Sequence, residues 1–133
     1  MSGTPTLDEF IARTWPRNAY VDYPEFVSLY IRSGDIIVSM GLEGYLWRCS
    51  KVIQIANIEA EHPGNGAFGR LVDDLVLRGL AVFVENVHNP RFGPKLLRMG
   101  FVPVNTASGP NFLYNHEGHL TLVPIKTICA DRI

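Results

Sequence analysis

Cysteine is scarce: only Cys49 and Cys129 occur in 133 residues. Two thiols so far apart form neither a disulfide framework nor the close Cys pairs of a zinc site, and the expected setting is reduced and cytoplasmic. Long hydrophobic runs are missing as well. No apolar stretch approaches the roughly 20 residues that cross a bilayer, and the opening Met1-Ser2-Gly3-Thr4-Pro5 lacks the charged-then-apolar layout of a secretory leader. Nor does one sign of charge prevail, since 12 Lys and Arg face 13 Asp and Glu, a net charge of −1. So neutral a field favours neither nucleic acid nor a membrane surface, and neither is expected as a partner. Repeats, low-complexity tracts and linkers are lacking too, so a single domain over residues 1–133 is expected, a length that suits one core. What is present is an ordinary globular composition, 47% hydrophobic and 19% charged, typical of a folded domain.

Local patterns give the order of elements. Thr6 followed by Glu9 is a capping box and opens a short helix from Leu7 to Trp15, which Pro16 ends. Alternation predicts a strand over Phe26–Ile31, β-branched content a second over Ile36–Met40, and strands follow at Tyr45–Trp47 and at Lys51–Ile58, the last apolar enough to be central; Ser33-Gly34-Asp35 and then Gly41 and Gly44 mark turns between them. Phe68, Leu71, Val72, Leu75 and Val76 fall at i, i+3, i+4, i+7 and i+8, one apolar helical stripe, and Gly79 closes it. Leu80–Val87 is almost wholly apolar, as a strand covered on both faces must be. Phe92, Leu96 and Met99 space a two-turn helix whose Pro94 has to lie in the first turn. Val102–Val104, Asn111–Tyr114 and Leu120–Ile125 complete the strands, with a turn at His116-Glu117-Gly118-His119 joining the last two as a terminal hairpin. The fold class expected is α/β: a mixed, mostly antiparallel sheet flanked by helices, with a central β-α-β-α-β unit.

The loop Pro63-Gly64-Asn65-Gly66 stands between a strand and a helix. Glycines there let the backbone approach a ligand, and the helix N–H groups behind them suit an anion. The loop matches neither the phosphate-binding loop, which needs Gly-Lys-Ser/Thr, nor the dinucleotide fingerprint, which needs three spaced glycines and a later acid. Taken together, however, Ile58-Glu59-Ala60-Glu61-His62-Pro63-Gly64-Asn65-Gly66, Leu71-Val72, Val84-Glu85, Asn89, Leu96 and Gly100-Phe101 resemble the GNAT family of N-acetyltransferases over about residues 52 to 104.

The resemblance implies that acetyl-coenzyme A lies between the strand ending near Ile58 and the strand ending near Val87. Main-chain groups of Ile58 and Ala60 would hold the pantetheine arm and polarise the thioester carbonyl. Gly64, Asn65, Gly66 and Ala67 would cradle the diphosphate, and Asn89 would contact the cofactor from the second strand. Two registers of the loop stay open. One places Pro63 where the family has Gln or Arg and Phe68 where it has a small residue, crowding the diphosphate; the other matches Gly64 and Gly66 but sets Glu61 at the basic position. The family's usual tyrosine acid falls on Leu96, which has no proton to give. Candidates for proton transfer are Glu59, Glu61, His62, Glu85 and His88, with Tyr114 as a replacement acid or a packed strand aromatic; Glu59, His88 and Tyr114 are taken as the catalytic set. His116, Glu117 and His119 form no complete metal cluster, and no metal is expected.

Two readings of function follow. In the first the chain is an acetyl-coenzyme A-dependent N-acyltransferase whose amine acceptor, a small molecule or a protein amino group, attacks the thioester directly. In the second it has kept the fold and lost catalysis, serving as a structural or interaction protein similar to small virion proteins of short-tailed bacteriophages. The oligomeric state is open, a homodimer included.

Overall fold

The chain's first helix begins as its capping box dictates. The Thr6 side chain accepts from the Glu9 amide at 3.2 Å, and Glu9 accepts from the Thr6 amide at 3.1 Å. The computed structural model describes residues 4–13, 18–85, 90–106 and 109–125. In chain order its elements are α1 (Leu7–Ala12), β1 (Asn18–Tyr20), β2 (Phe26–Ser33), β3 (Ile36–Val38), β4 (Tyr45–Cys49), β5 (Val52–Ala60), α2 (Ala67–Leu77), β6 (Ala81–Val84), α3 (Phe92–Arg98), β7 (Val102–Thr106), β8 (Gly109–Tyr114) and β9 (Leu120–Pro124).

Six strands form one sheet in the order β1-β2-β5-β6-β8-β7, and β3-β4-β9 form a second. Every pairing is antiparallel except β5 with β6, which is parallel. The fold is therefore α/β, a mixed and mostly antiparallel sheet flanked by helices.

The two faces of the large sheet build two cores, because neighbouring residues of a strand point to opposite sides. Ile53, Ile55, Val82 and Val84 pack under the helices, against Phe10 of α1, Leu71, Val72 and Leu75 of α2 and Leu96 of α3. Val52, Ala81, Phe83 and Leu113 point the other way and meet Val38 and Cys49 of the small sheet. All four residues of β6 are buried, which is why that stretch carries no polar alternation. Helix α2 is held by its stripe and stopped at Gly79: the Gly79 amide donates to Val76 O at 2.9 Å and the Leu80 amide to Leu75 O at 3.1 Å, the paired bonds of a Schellman cap. Burial leaves the Cys49 thiol fully covered and pushes its pKa up to about 11, with Asp35 adding to the effect.

Two expectations need correction, and one strand, β1, was not expected. Helix α1 stops at Ala12 because Arg13 turns extended, with φ −85° and ψ 167°; Trp15 and Pro16 lie outside the described residues. Strand β1, which carries no readable alternation, pairs with β2. The terminal hairpin does not form. Strand β8 sits between β6 and β7, since Phe112 and Leu113 feed the two opposite cores. Strand β9, mostly exposed, crosses instead to the edge of the small sheet beside β4. The turn joining β8 to β9 is pinned across sheets, the Ser50 amide donating to His119 O at 3.0 Å. Among the described residues no helix is long and apolar enough to cross a membrane.

Candidate functional site

Among the described residues the parallel pairing of β5 with β6 has four rungs. Its last rung sets Ile55 opposite Val84, and the Glu85 amide still donates to Ile55 O at 3.4 Å. Beyond it β5 runs on to Ala60, paired with β2 alone among the described strands.

A bulge decides what that free stretch presents. The Ala81 and Glu85 amides donate to Lys51 O and Ile55 O, so the odd-numbered main-chain groups of β5 face β6 up to Ile55. At the far end the Glu61 amide donates to Glu25 O at 2.9 Å, so an odd-numbered group there faces β2. Alternation along a strand must break once in between, and the register breaks it at Ala56: Ile31 faces Ile55, whereas Tyr30 faces Asn57. One inserted residue is a β-bulge. Its consequence is that the N–H and C=O of Ile58 and Ala60 point away from β2, into the gap beyond the last β6 rung. An independent bond agrees. Leu29 O accepts from the Val21 amide, so Leu29 faces β1 and its partner Ile58 turns its main chain outward.

The gap is a cleft of about 550 Å³, within the usual range of small-molecule sites. Its walls include Ile55, Ile58, Ala60, Val84, Phe26, Phe68 and Phe92, with Gly64, Gly66 and Ala67 at one end and Glu59, His62, Glu85 and Lys95 as ionisable groups. Ile58 and Ala60 pack on the helix-side core; Asn57 and Glu59 therefore point to the opposite face. The cleft thus opens through the plane of the sheet, with helices on one side and a polar surface on the other. On that polar surface Tyr20 and Tyr30 lie 4.8 Å apart, Arg32 sits 5.8 Å from the Tyr30 ring centre, and Arg32 is ion-paired with Glu85.

At the glycine end α2 begins with Gly66 in the left-handed region, φ 76°, and among the described residues no side chain caps its first amides. Gly64 is left-handed too, at φ 85°, and the two positions let the loop fold back over the helix start. Arg70 closes this end. Its guanidinium pairs in two places with the Glu25 carboxylate, donates to Asn65 O at 2.7 Å, and would lie 3.1 Å from a Cβ at Gly66. That pairing holds the Glu25 carboxyl below its ordinary value. Glu25 itself has φ 76° at the third place of the turn Tyr23-Pro24-Glu25-Phe26, where glycine is usual.

The sequence candidates distribute as follows. Ile58, Ala60, Gly64, Gly66, Ala67 and Glu59 line the cleft, as do His62 and Glu85, while Asn65 is exposed on the loop beside Arg70. His88 and Asn89 lie outside the described residues. Tyr114 is not on the cleft wall; its ring stacks on Phe101 at 4.8 Å, and it stands opposite Val82, near the start of β6. Leu96 is fully buried in the core. Phe68 turns its ring into the helix-side core, 5.1 Å from Phe92 and 6.2 Å from Phe101. Reading along the chain missed Ala56, Arg70 and Lys95. Lys95 follows Phe92 by three residues, so helical spacing from that aromatic pointed to it. The Glu25–Arg70 contact is 45 residues apart and had no local signal. Among the described residues no group of three or more His, Cys, Asp or Glu could hold a metal ion.

No protein-family model, curated protein or solved structure matches the chain.

Proposed function

We propose that the cleft between β5 and β6 takes acetyl-coenzyme A and that the protein is a divergent GNAT-like N-acyltransferase acting on an amine. The observation that carries this reading is the bulge at Ala56, which turns the main chain of Ile58 and Ala60 away from β2 and into the cleft beyond the last described rung of β5 with β6. Main-chain donors turned into a largely apolar cleft, without partners among the described residues, suit a pantetheine arm and a thioester oxygen, which gains charge as the amine attacks. The cleft has the volume of a small-molecule site, and its glycine end suits the ligand: the amides at the head of α2, uncapped among the described residues, favour phosphate. The co-substrate supplies an activated acetyl group. Glu59, at the mouth on the polar face, is placed to take the proton that the attacking nitrogen sheds. The polar surface around Tyr20, Tyr30 and Glu59 is the side from which an amine would approach.

The test is ligand-linked stability. Acetyl-coenzyme A at 100 times its Kd should stabilise the fold by about 2.7 kcal/mol, a Tm rise of roughly 10 °C for a chain of this size. Gly66→Trp fills the loop, at the cost of a strained left-handed position 3.1 Å from the Arg70 guanidinium, and measured against its own ligand-free melt it should show no rise. No shift at millimolar ligand would refute the reading.

One set of observations favours the alternative, a catalytically eroded structural or interaction protein. Met40, Leu42, Tyr45, Leu122 and Ile125 are exposed apolar side chains in and around the small sheet, and clustered apolar surface of this kind marks contact sites. An absent thermal shift combined with self-association would favour that reading.

A further inference from the structure

Resting on that reading of the cleft, we infer that Lys95 is a catalytic residue: its ammonium stabilises and protonates the thiolate that departs from the coenzyme. Lys95 is the one lysine or arginine among the described residues of the cleft wall, and it is half-buried. It has no ion-pair partner among the described residues, whereas Arg32, Arg70 and Arg78 are each committed to carboxylates. An ammonium left unpaired in a largely apolar cleft is positioned for an anion that forms there.

The two faces of the cleft assign the anion. Helix α3 packs on the helix side of the sheet, through Leu96 and Phe92, and so does the head of α2 with its uncapped amides. A coenzyme held at that head enters from the helix side, and its sulfur leaves toward the same side. Glu59 projects from the opposite face. The two ionisable groups therefore bracket the reacting carbonyl: a carboxylate where the amine approaches and an ammonium where the sulfur departs. The nitrogen lone pair forms the new C–N bond as the C–S bond breaks with its pair on sulfur. The proton lost by nitrogen passes to Glu59 and the sulfur takes a proton from Lys95; Glu59 then gives its proton to water and Lys95 regains one from water, which restores both groups. Among the described residues the other ionisable groups on the cleft wall are His62 and Glu85, and Glu85 is held by Arg32.

The experiment reads the thiol rather than turnover. Coenzyme A is bound to the protein and its thiolate absorbance is titrated in the ultraviolet. In the wild type the bound thiol should titrate about one pH unit below free coenzyme A, the size of effect an adjacent opposite charge produces. Lys95→Arg should keep that shift, while Lys95→Met should abolish it, with affinity for coenzyme A unchanged at a pH where the thiol is protonated, weaker affinity for both coenzyme A and pantetheine above it, as linkage requires, and an unchanged circular-dichroism melt. Equal titration in wild type and Lys95→Met overturns the assignment and leaves the coenzyme site standing. Weaker binding of coenzyme A to Lys95→Met, without weaker binding of pantetheine, overturns it in favour of a phosphate contact. Failure of the wild type to bind coenzyme A removes both the site and the inference.

Discussion

Replacing Phe68 by alanine separates two roles that a phenylalanine at the mouth of a cofactor loop can have. The side chain is 6% exposed and lies edge-on to Phe92 at 5.1 Å. An aromatic side chain buries roughly 150–250 Å², which at ~25 cal/mol per Å² is about 4–6 kcal/mol of transfer free energy. Alanine keeps the Cβ, so the loss should be about 3–5 kcal/mol, a cavity term included, with the edge-to-face pair at the upper end. That is a large part of the roughly 5–15 kcal/mol that holds a domain together. For 133 residues it corresponds to a Tm lower by roughly 10–20 °C. Urea unfolding followed by far-ultraviolet circular dichroism should show a lower midpoint at constant slope. A loss under about 1 kcal/mol, accompanied by tighter coenzyme A binding, would mean that the ring obstructs the cleft instead of supporting the core.

Two further outcomes are expected. Thr6→Ala removes the cap of α1 and should cost about 0.5–2 kcal/mol in chemical denaturation; no measurable change would show that α1 is held by Leu7 and Phe10 alone. Asp74 accepts from Arg78 at 2.9 Å and from the Tyr23 hydroxyl at 2.6 Å, and these bonds, the arginine's first, hold its carboxyl below the ordinary value of 3.8. A depressed folded-state pKa gives stability that is present above the unfolded value and lost as pH falls through the folded one. Asp74→Asn should therefore be less stable than wild type by about 1–2 kcal/mol at pH 7, and the gap should narrow below pH ~4. A gap that stays constant down to pH 2 would contradict the assignment.

Wherever the signal was local, the sequence carried it. The capping box at Thr6 and Glu9, the five-residue stripe of α2, the glycine closing that helix and the unbroken apolar run of β6 each report a period or a cap that neighbouring residues set among themselves. The loop at Pro63 to Gly66 was legible for the same reason, since glycines before a helix advertise backbone freedom. The outcome for β8 and β9 was not legible. Both alternate well enough to be strands, and nothing nearby says that one must fill a slot between β6 and β7 while the other crosses to β4.

The same division runs through the site. Residue types and their order along the chain determined that a strand, a glycine loop and a helix would follow one another and that the strand would reach Ile58, two residues short of its end at Ala60. Only tertiary structure decided that one residue would be inserted at Ala56, since a bulge is defined against the partner strand β2. It also decided that Arg70 would meet Glu25, that Lys95 would line the cleft while Leu96 entered the core, and that Tyr114 would stack on Phe101 away from it. The physical reason is that periods and caps are written in neighbouring residues, whereas register and cleft walls are settled by which distant surfaces bury each other best.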